Sequence, residues 1–222
     1  MNSVDFAFGG FFSIGTLSYA WAKLYRKSFL DSNKIEFGDY RYAEDKIYNY
    51  FCYIAGARYA FIDKKIYVYR RNEQSVSNTY RKDGDKDWMR IAQDLQDKID
   101  SLNYEKKQYS QDEIENYESI VAWTIYFAAF FDGKMEYEYS TGKIRAVINL
   151  LKRYASYDLT KKYLKNPLRY TKKIPALSYK IMLGGFAFLM KCNMYLLLSL
   201  GIKLLVDCHI DERLSDTGTK ED

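Results

Sequence analysis

Two adjacent acids, Glu44 and Asp45, are the residues of this chain best placed to take a proton. They follow Tyr42-Ala43 and precede apolar residues at helical spacing, so both fall in the first turn of a helix. A carboxylate at a loop-to-helix junction can act as a general base towards an incoming hydroxyl. The same position has a plainer use, because acids in a first turn interact favourably with the helix dipole, worth roughly 0.3–1 kcal/mol each. The pattern alone leaves both uses open. Three cations, Lys23, Arg70 and Arg71, would hold a diphosphate if the fold gathers them.

Other chemistry is thin. Cys52, Cys192 and Cys208 have no metal-like spacing, and an odd number without a framework points to a reducing compartment. The lone histidine, His209, sits in a polar tail and excludes a His-rich metal site. Phe8-Gly9-Gly10-Phe11 is too short to be a phosphate loop. Basic and aromatic residues carry no organised nucleic-acid motif.

The elements around the acids follow from periodicity. Residues 6–20 are apolar but headed by Asp5 without a basic region, which reads as a buried strand and turn rather than a signal peptide. Residues 19–26 alternate as a short strand would, and Ser28 to Leu30 begin a helical turn. After Glu44, the residues Ile47, Tyr50, Phe51, Ile54 and Ala55 share one helical face, with Gly56 as a stop. Residues 59–62 and 66–69 are β-rich runs around Asp63-Lys64-Lys65, predicting a hairpin or bent strand. A charged linker at 81–87 follows, with Asp83-Gly84-Asp85 and Asp85-Lys86-Asp87 as a solvated turn.

Three helical stripes come next. They are Trp88, Ile91, Ala92, Leu95, Ile99 and Leu102; then Ile114, Tyr117, Val121, Ile125 and Ala128, stopping near Gly133; then Ile144, Val147, Ile148 and Leu151. Ser110 with Glu113 forms a capping box before the second.

Trp21-Ala22-Lys23-Leu24-Tyr25-Arg26, Ile35-Glu36-Phe37, Glu44-Asp45, Tyr67-Val68-Tyr69-Arg70 and Ser75-Val76-Ser77, in this order and spacing, resemble the second half of bacterial family 2 glycosyltransferases. The resemblance covers about residues 19–78. It implies an α/β remnant of a GT-A-like domain over residues 1–80, in a chain that is predominantly α overall. A helical region would occupy 81–160, a basic run with apolar membrane-associating helices 161–206, and a polar tail 207–222.

The activity implied is transfer of a sugar from a nucleotide sugar to a growing surface polysaccharide or a lipid-linked acceptor, with inversion at the anomeric carbon. Asp45 matches the catalytic base, with Glu44 beside it. Trp21 and Lys23 match the strand lining the acceptor side. Arg70 and Ser75 match the segment that closes near the donor diphosphate, with Arg71 as a further cation. A divalent metal, Mg or Mn, is expected in the complete enzyme, and no residue of this chain is assigned to it. The nucleotide-binding first half, which ends in an Asp-x-Asp metal motif, has no counterpart here. The chain is therefore expected to be a fragment whose partner is a separate N-terminal half. The other outcome is a non-catalytic, membrane-associated helical module derived from such an enzyme.

Composition bounds the partners. The chain has 222 residues and a net charge of +5, a mild basic bias that suits phosphates, nucleotide sugars or anionic lipid. Lys161, Lys162, Lys165, Arg169, Lys172 and Lys173 form a run free of acids, broken by Pro167 and Pro175. Residues 181–206 are nearly all apolar, and as one helix would span roughly 39 Å. Lys191 near the middle would cost roughly 2.5–3.5 kcal/mol on insertion. A buried hydrophobic hairpin, an interfacial segment and a true span all fit that pattern. The enzyme reading favours peripheral attachment on the cytoplasmic face of the cell membrane, without nucleic acid as a partner.

Overall fold

The structure, a computed structural model, describes residues 4–13, 18–41, 43–64, 66–68, 80–104 and 109–208. Among them there is helix and no strand. The expected α/β remnant is therefore wrong: the described residues of the amino-terminal part are helix and irregular chain, and the chain is predominantly α. Residues 4–13 form helix α1 (Val4–Phe8) and a π-helical turn (Gly9–Ser13) rather than a strand. The predicted strand at 19–26 is interrupted at Ala22, whose φ of 55° is left-handed and cannot continue an extended run. Of the predicted hairpin, residues 59–64 and 66–68 are irregular, with Ile66 and Val68 66% and 87% exposed. A strand needs a neighbour to receive its backbone hydrogen bonds, and β-rich composition supplies none.

Two compact units make up the chain: Met1–Thr79 with Asp94–Tyr117, and Tyr80–Gln93 with Glu118–Asp222. In the first lie α1, α2 (Lys27–Ser32) and α3 (Glu44–Ile54). Helix α3 buries Ile47, Tyr50 and Ile54, as its spacing predicts. Gly56, with φ 83°, ends it: its N–H donates to Tyr53 O at 2.9 Å, and that of Ala57 to Cys52 O at 3.0 Å. Those two bonds form a Schellman motif, which requires a left-handed residue at that place. Ile35, Tyr48 and Cys52 form a small core with Tyr25, Phe29 and Leu30 against it.

Helices α4 (Gly84–Tyr104) and α5 (Gln111–Tyr139) contribute to both units. The capping box opens α5 as expected, with Glu113 N donating to Ser110 Oγ at 3.2 Å and Ser110 N to Glu113 Oε2 at 2.9 Å. The helix does not stop at Gly133. A Cβ there would lie 2.8 Å from Ile202 Cδ1, so glycine serves close packing rather than termination.

The second unit continues with α6 (Lys143–Ser156), α7 (Asp158–Leu164), α8 (Pro167–Thr171), α9 (Leu177–Lys191) and α10 (Tyr195–Asp207). Its core includes Trp123, Tyr126, Val147, Leu151, Tyr154, Tyr163 and Leu183. Two of its buried aromatic side chains keep their polar tips paired, with Trp123 Nε1 donating to Tyr170 O at 3.2 Å and Tyr126 Oη to Tyr163 O at 3.1 Å.

One further expectation is corrected here. Asp85 is not part of a solvated turn; it is 1% exposed and ion-paired with Arg153. The apolar stretch, for which a hairpin and a single span both fitted the pattern, forms two helices, α9 turning off at Asn193, which has φ 57°. Asn193 N donates to Met190 O at 3.0 Å and Met194 N to Leu189 O at 2.9 Å, a second Schellman motif.

Candidate functional site

Asp45 and Glu44 open α3, as their position predicts. The residue before them, Ala43, has φ 58° and ψ 20° and gives the helix no side-chain cap. The first-turn N–H groups therefore lack the acceptor that Ser, Thr, Asp or Asn would supply there. Glu44 is exposed and Asp45 half-buried.

The segment carrying Trp21 and Lys23 lies in the same unit. Lys23 Nζ donates to Tyr19 O, closing the turn around Ala22. Burial holds the Lys23 ammonium below its ordinary range, while the charge of Asp45 acts in the opposite direction. Asp45 and Lys23 are thus electrostatic neighbours although they come from different segments. Trp21 stacks on Tyr19 with ring centroids 4.8 Å apart and planes at 20°, and on Tyr67 at 4.6 Å and 15°. Tyr19 is 44% and Tyr67 50% exposed, so the stack presents aromatic surface to solvent.

Asn49 joins the two segments. It is 2% exposed. Its Nδ2 donates to Asp45 O at 2.7 Å and to Ser18 O at 3.4 Å, and its Oδ1 accepts from Tyr25 Oη at 2.9 Å. Sequence reasoning missed Asn49, Tyr19 and Tyr67 as parts of the site. The signal for Asn49 was present: a polar residue four positions after Asp45, beside the apolar face of α3. Lys46 lies next to the acids, and burial lowers its ammonium to about 8.

Of the expected site residues, Asp45, Glu44, Trp21 and Lys23 therefore lie in one unit, and the charge of Asp45 acts on the Lys23 ammonium. Arg70, Arg71 and Ser75 lie outside the described residues. Among the described residues, no group of three or more His, Cys, Asp or Glu could hold a metal ion. No family model, curated protein or solved structure matches the chain.

Proposed function

We propose that the first unit carries the acceptor side of a sugar-transferring enzyme of the family 2 glycosyltransferase type, with Asp45 as its base. The observation that carries this reading is that Asp45 and Lys23, two residues the resemblance assigns to acceptor chemistry, come from separate segments of one unit with the charge of the first acting on the second. Asp45 takes the proton of an acceptor hydroxyl as the oxygen attacks the anomeric carbon of the donor sugar. The bond from that carbon to the nucleoside diphosphate breaks on the opposite side, which inverts the configuration. Lys23 supplies a donor to acceptor oxygens beside the base. The exposed faces of Tyr19 and Tyr67 suit the apolar C–H face of a sugar ring. Glu44 acts mainly on the helix terminus. Donor binding belongs to a nucleotide-binding part that works with this unit.

The test is turnover of acceptor in a reconstituted enzyme, with the nucleotide-binding part supplied by fusion or as a second polypeptide. Asp45→Asn keeps size and hydrogen bonding but cannot take the proton. It is expected to lower turnover by about 10²–10⁴, with Glu44→Gln costing far less. Circular dichroism confirms that both fold. A folded Asp45→Asn enzyme retaining more than about a tenth of the activity reduces Asp45 to a helix-terminus charge and overturns the reading.

A further inference from the structure

Helices α9 and α10 have an unusual surface. A helix on a globular protein normally shows one apolar stripe, turned to the core. Helix α9 buries Leu183, Phe186, Ala187 and Met190, and α10 buries Leu198 and Ile202. Each also turns a second apolar stripe to solvent. On α9 it runs through Leu177, Ile181 and Phe188, which are 69%, 66% and 47% exposed. On α10 it runs through Leu196, Leu200 and Leu204, at 58%, 46% and 59%. A groove of about 490 Å³ also lies between the two helices, lined by Met182, Gly185 and Leu189 of α9 and by Leu197, Leu200 and Leu204 of α10 among others. Leu200 and Leu204 of the α10 stripe enter it, whereas the α9 stripe lies outside it. Exposed apolar surface on this scale marks a binding surface.

We propose that this hairpin docks on the surface of an anionic lipid bilayer, its outward stripes among the acyl chains and the cations of α7 and α8 against the headgroups. Charge selects this occupant. Helices α7 to α10, residues 158–207, hold nine Lys and Arg against Asp158 and Asp207, a net of +7, whereas the whole chain is only +5, so the remainder is net negative. Lys161, Lys162 and Lys203 are ion-paired with Asp158, Glu118 and Asp207, which leaves the other six cations outside those pairs. Helices α7 and α8, which with the residues just after each carry six of the nine cations, both pack on α9. Lys165 and Lys172 are exposed there, and Lys191 at the end of α9 donates to Lys165 O at 2.8 Å. An isologous dimer through the same face would bring two such cation sets together, which like-charge repulsion opposes.

Length sets the mode. The 15 residues of α9 and 13 of α10 make rods of about 22 and 20 Å, short of the hydrocarbon core of about 30 Å. No helix among the described residues is long and apolar enough to cross a membrane. The hairpin therefore lies in the interface plane, as amphipathic anchors do.

Flotation of the full chain tests this, with vesicles of phosphatidylcholine alone and of phosphatidylcholine mixed with phosphatidylglycerol. Binding is expected to the mixed vesicles and to weaken with salt. Phe188→Asp and Leu200→Asp, both at exposed positions, should each reduce partitioning by at least about tenfold. Lys165→Gln with Lys172→Gln should reduce it by roughly 25-fold, about fivefold per charge. A polarity-sensitive fluorophore attached at exposed Cys192 in a Cys208→Ser background, with Cys52 buried, should shift to the blue on mixed vesicles. Failure to float, or equal binding to neutral and anionic vesicles, overturns the proposal. So does a Leu200→Asp change that turns a dimer into a monomer without altering flotation, since the face would then join two copies.

Discussion

Replacing Arg153 by methionine isolates the buried carboxylate of Asp85. Arg153 Nη2 donates to Asp85 Oδ1 at 3.1 Å and its Nε to Oδ2 at 3.3 Å, with Tyr157 Oη as a third donor at 3.1 Å. Methionine keeps the apolar stem of the arginine but leaves Asp85 with Tyr157 alone. Stranding one partner of a buried pair costs about 3–5 kcal/mol. The Arg153 side chain is 45% exposed against 1% for Asp85, so water already screens part of the interaction. The expected loss is therefore about 2–3 kcal/mol. Asp85→Asn removes the charge that needs a partner and should cost about 1 kcal/mol. The double variant should be little worse than Asp85→Asn, leaving a coupling of about 2 kcal/mol. Urea denaturation by circular dichroism measures each variant, and amide exchange in α4 and α6 ties the effect to this unit. A coupling below about 0.5 kcal/mol would show that Asp85 is solvated and that the pair contributes nothing.

Two further outcomes can be checked directly. Burial raises the Asp132 carboxyl to about 7 from 3.8, with Asp85 and Glu136 adding to the rise, against the Tyr154 hydroxyl, which donates to it at 2.5 Å, and the Arg153 charge. Because its folded value lies above the unfolded one, the folded chain holds a proton that the unfolded chain releases, so stability falls as pH rises from about 4 to about 7. Asp132 keeps some solvent contact, and the fall should be on the order of 2 kcal/mol. Asp132→Asn should flatten this part of the curve, and urea midpoints that fall in parallel for both proteins would contradict it. Asn49→Leu should cost about 2–3 kcal/mol, by stranding the Tyr25 hydroxyl and the Ser18 carbonyl, and thermal unfolding reads it.

The helical half was legible because its signals are local. Tyr117, Val121, Ile125 and Ala128 sit at helical spacing and are buried, and Ser110 with Glu113 caps their helix. The first turn of α3 and its stop at Gly56 were readable for the same reason. The strands failed because alternation at 19–26 and β-branched residues at 66–68 state a preference, whereas pairing is decided by a neighbouring strand. Gly133 misled because a glycine needed for approach by Ile202 looks the same in sequence as a glycine that ends a helix. The burial of Asp85 was hidden because its partner, Arg153, is far along the chain. In the candidate site, the acids were found from their position, while the Tyr19–Trp21–Tyr67 stack and the Asn49 bridge depend on tertiary contacts.

Asn193 sets the reach of the last apolar segment. One left-handed residue divides residues 177–207 into two rods, where a continuous helix would measure about 46 Å, more than the roughly 30 Å of a hydrocarbon core. Asparagine adopts that conformation more readily than most residues, so the divide is inexpensive to form. With the turn closed neither rod reaches across such a core, and Lys191 beside it would oppose insertion by its charge. Two residues within three positions thus act against the same outcome, one through length and the other through charge.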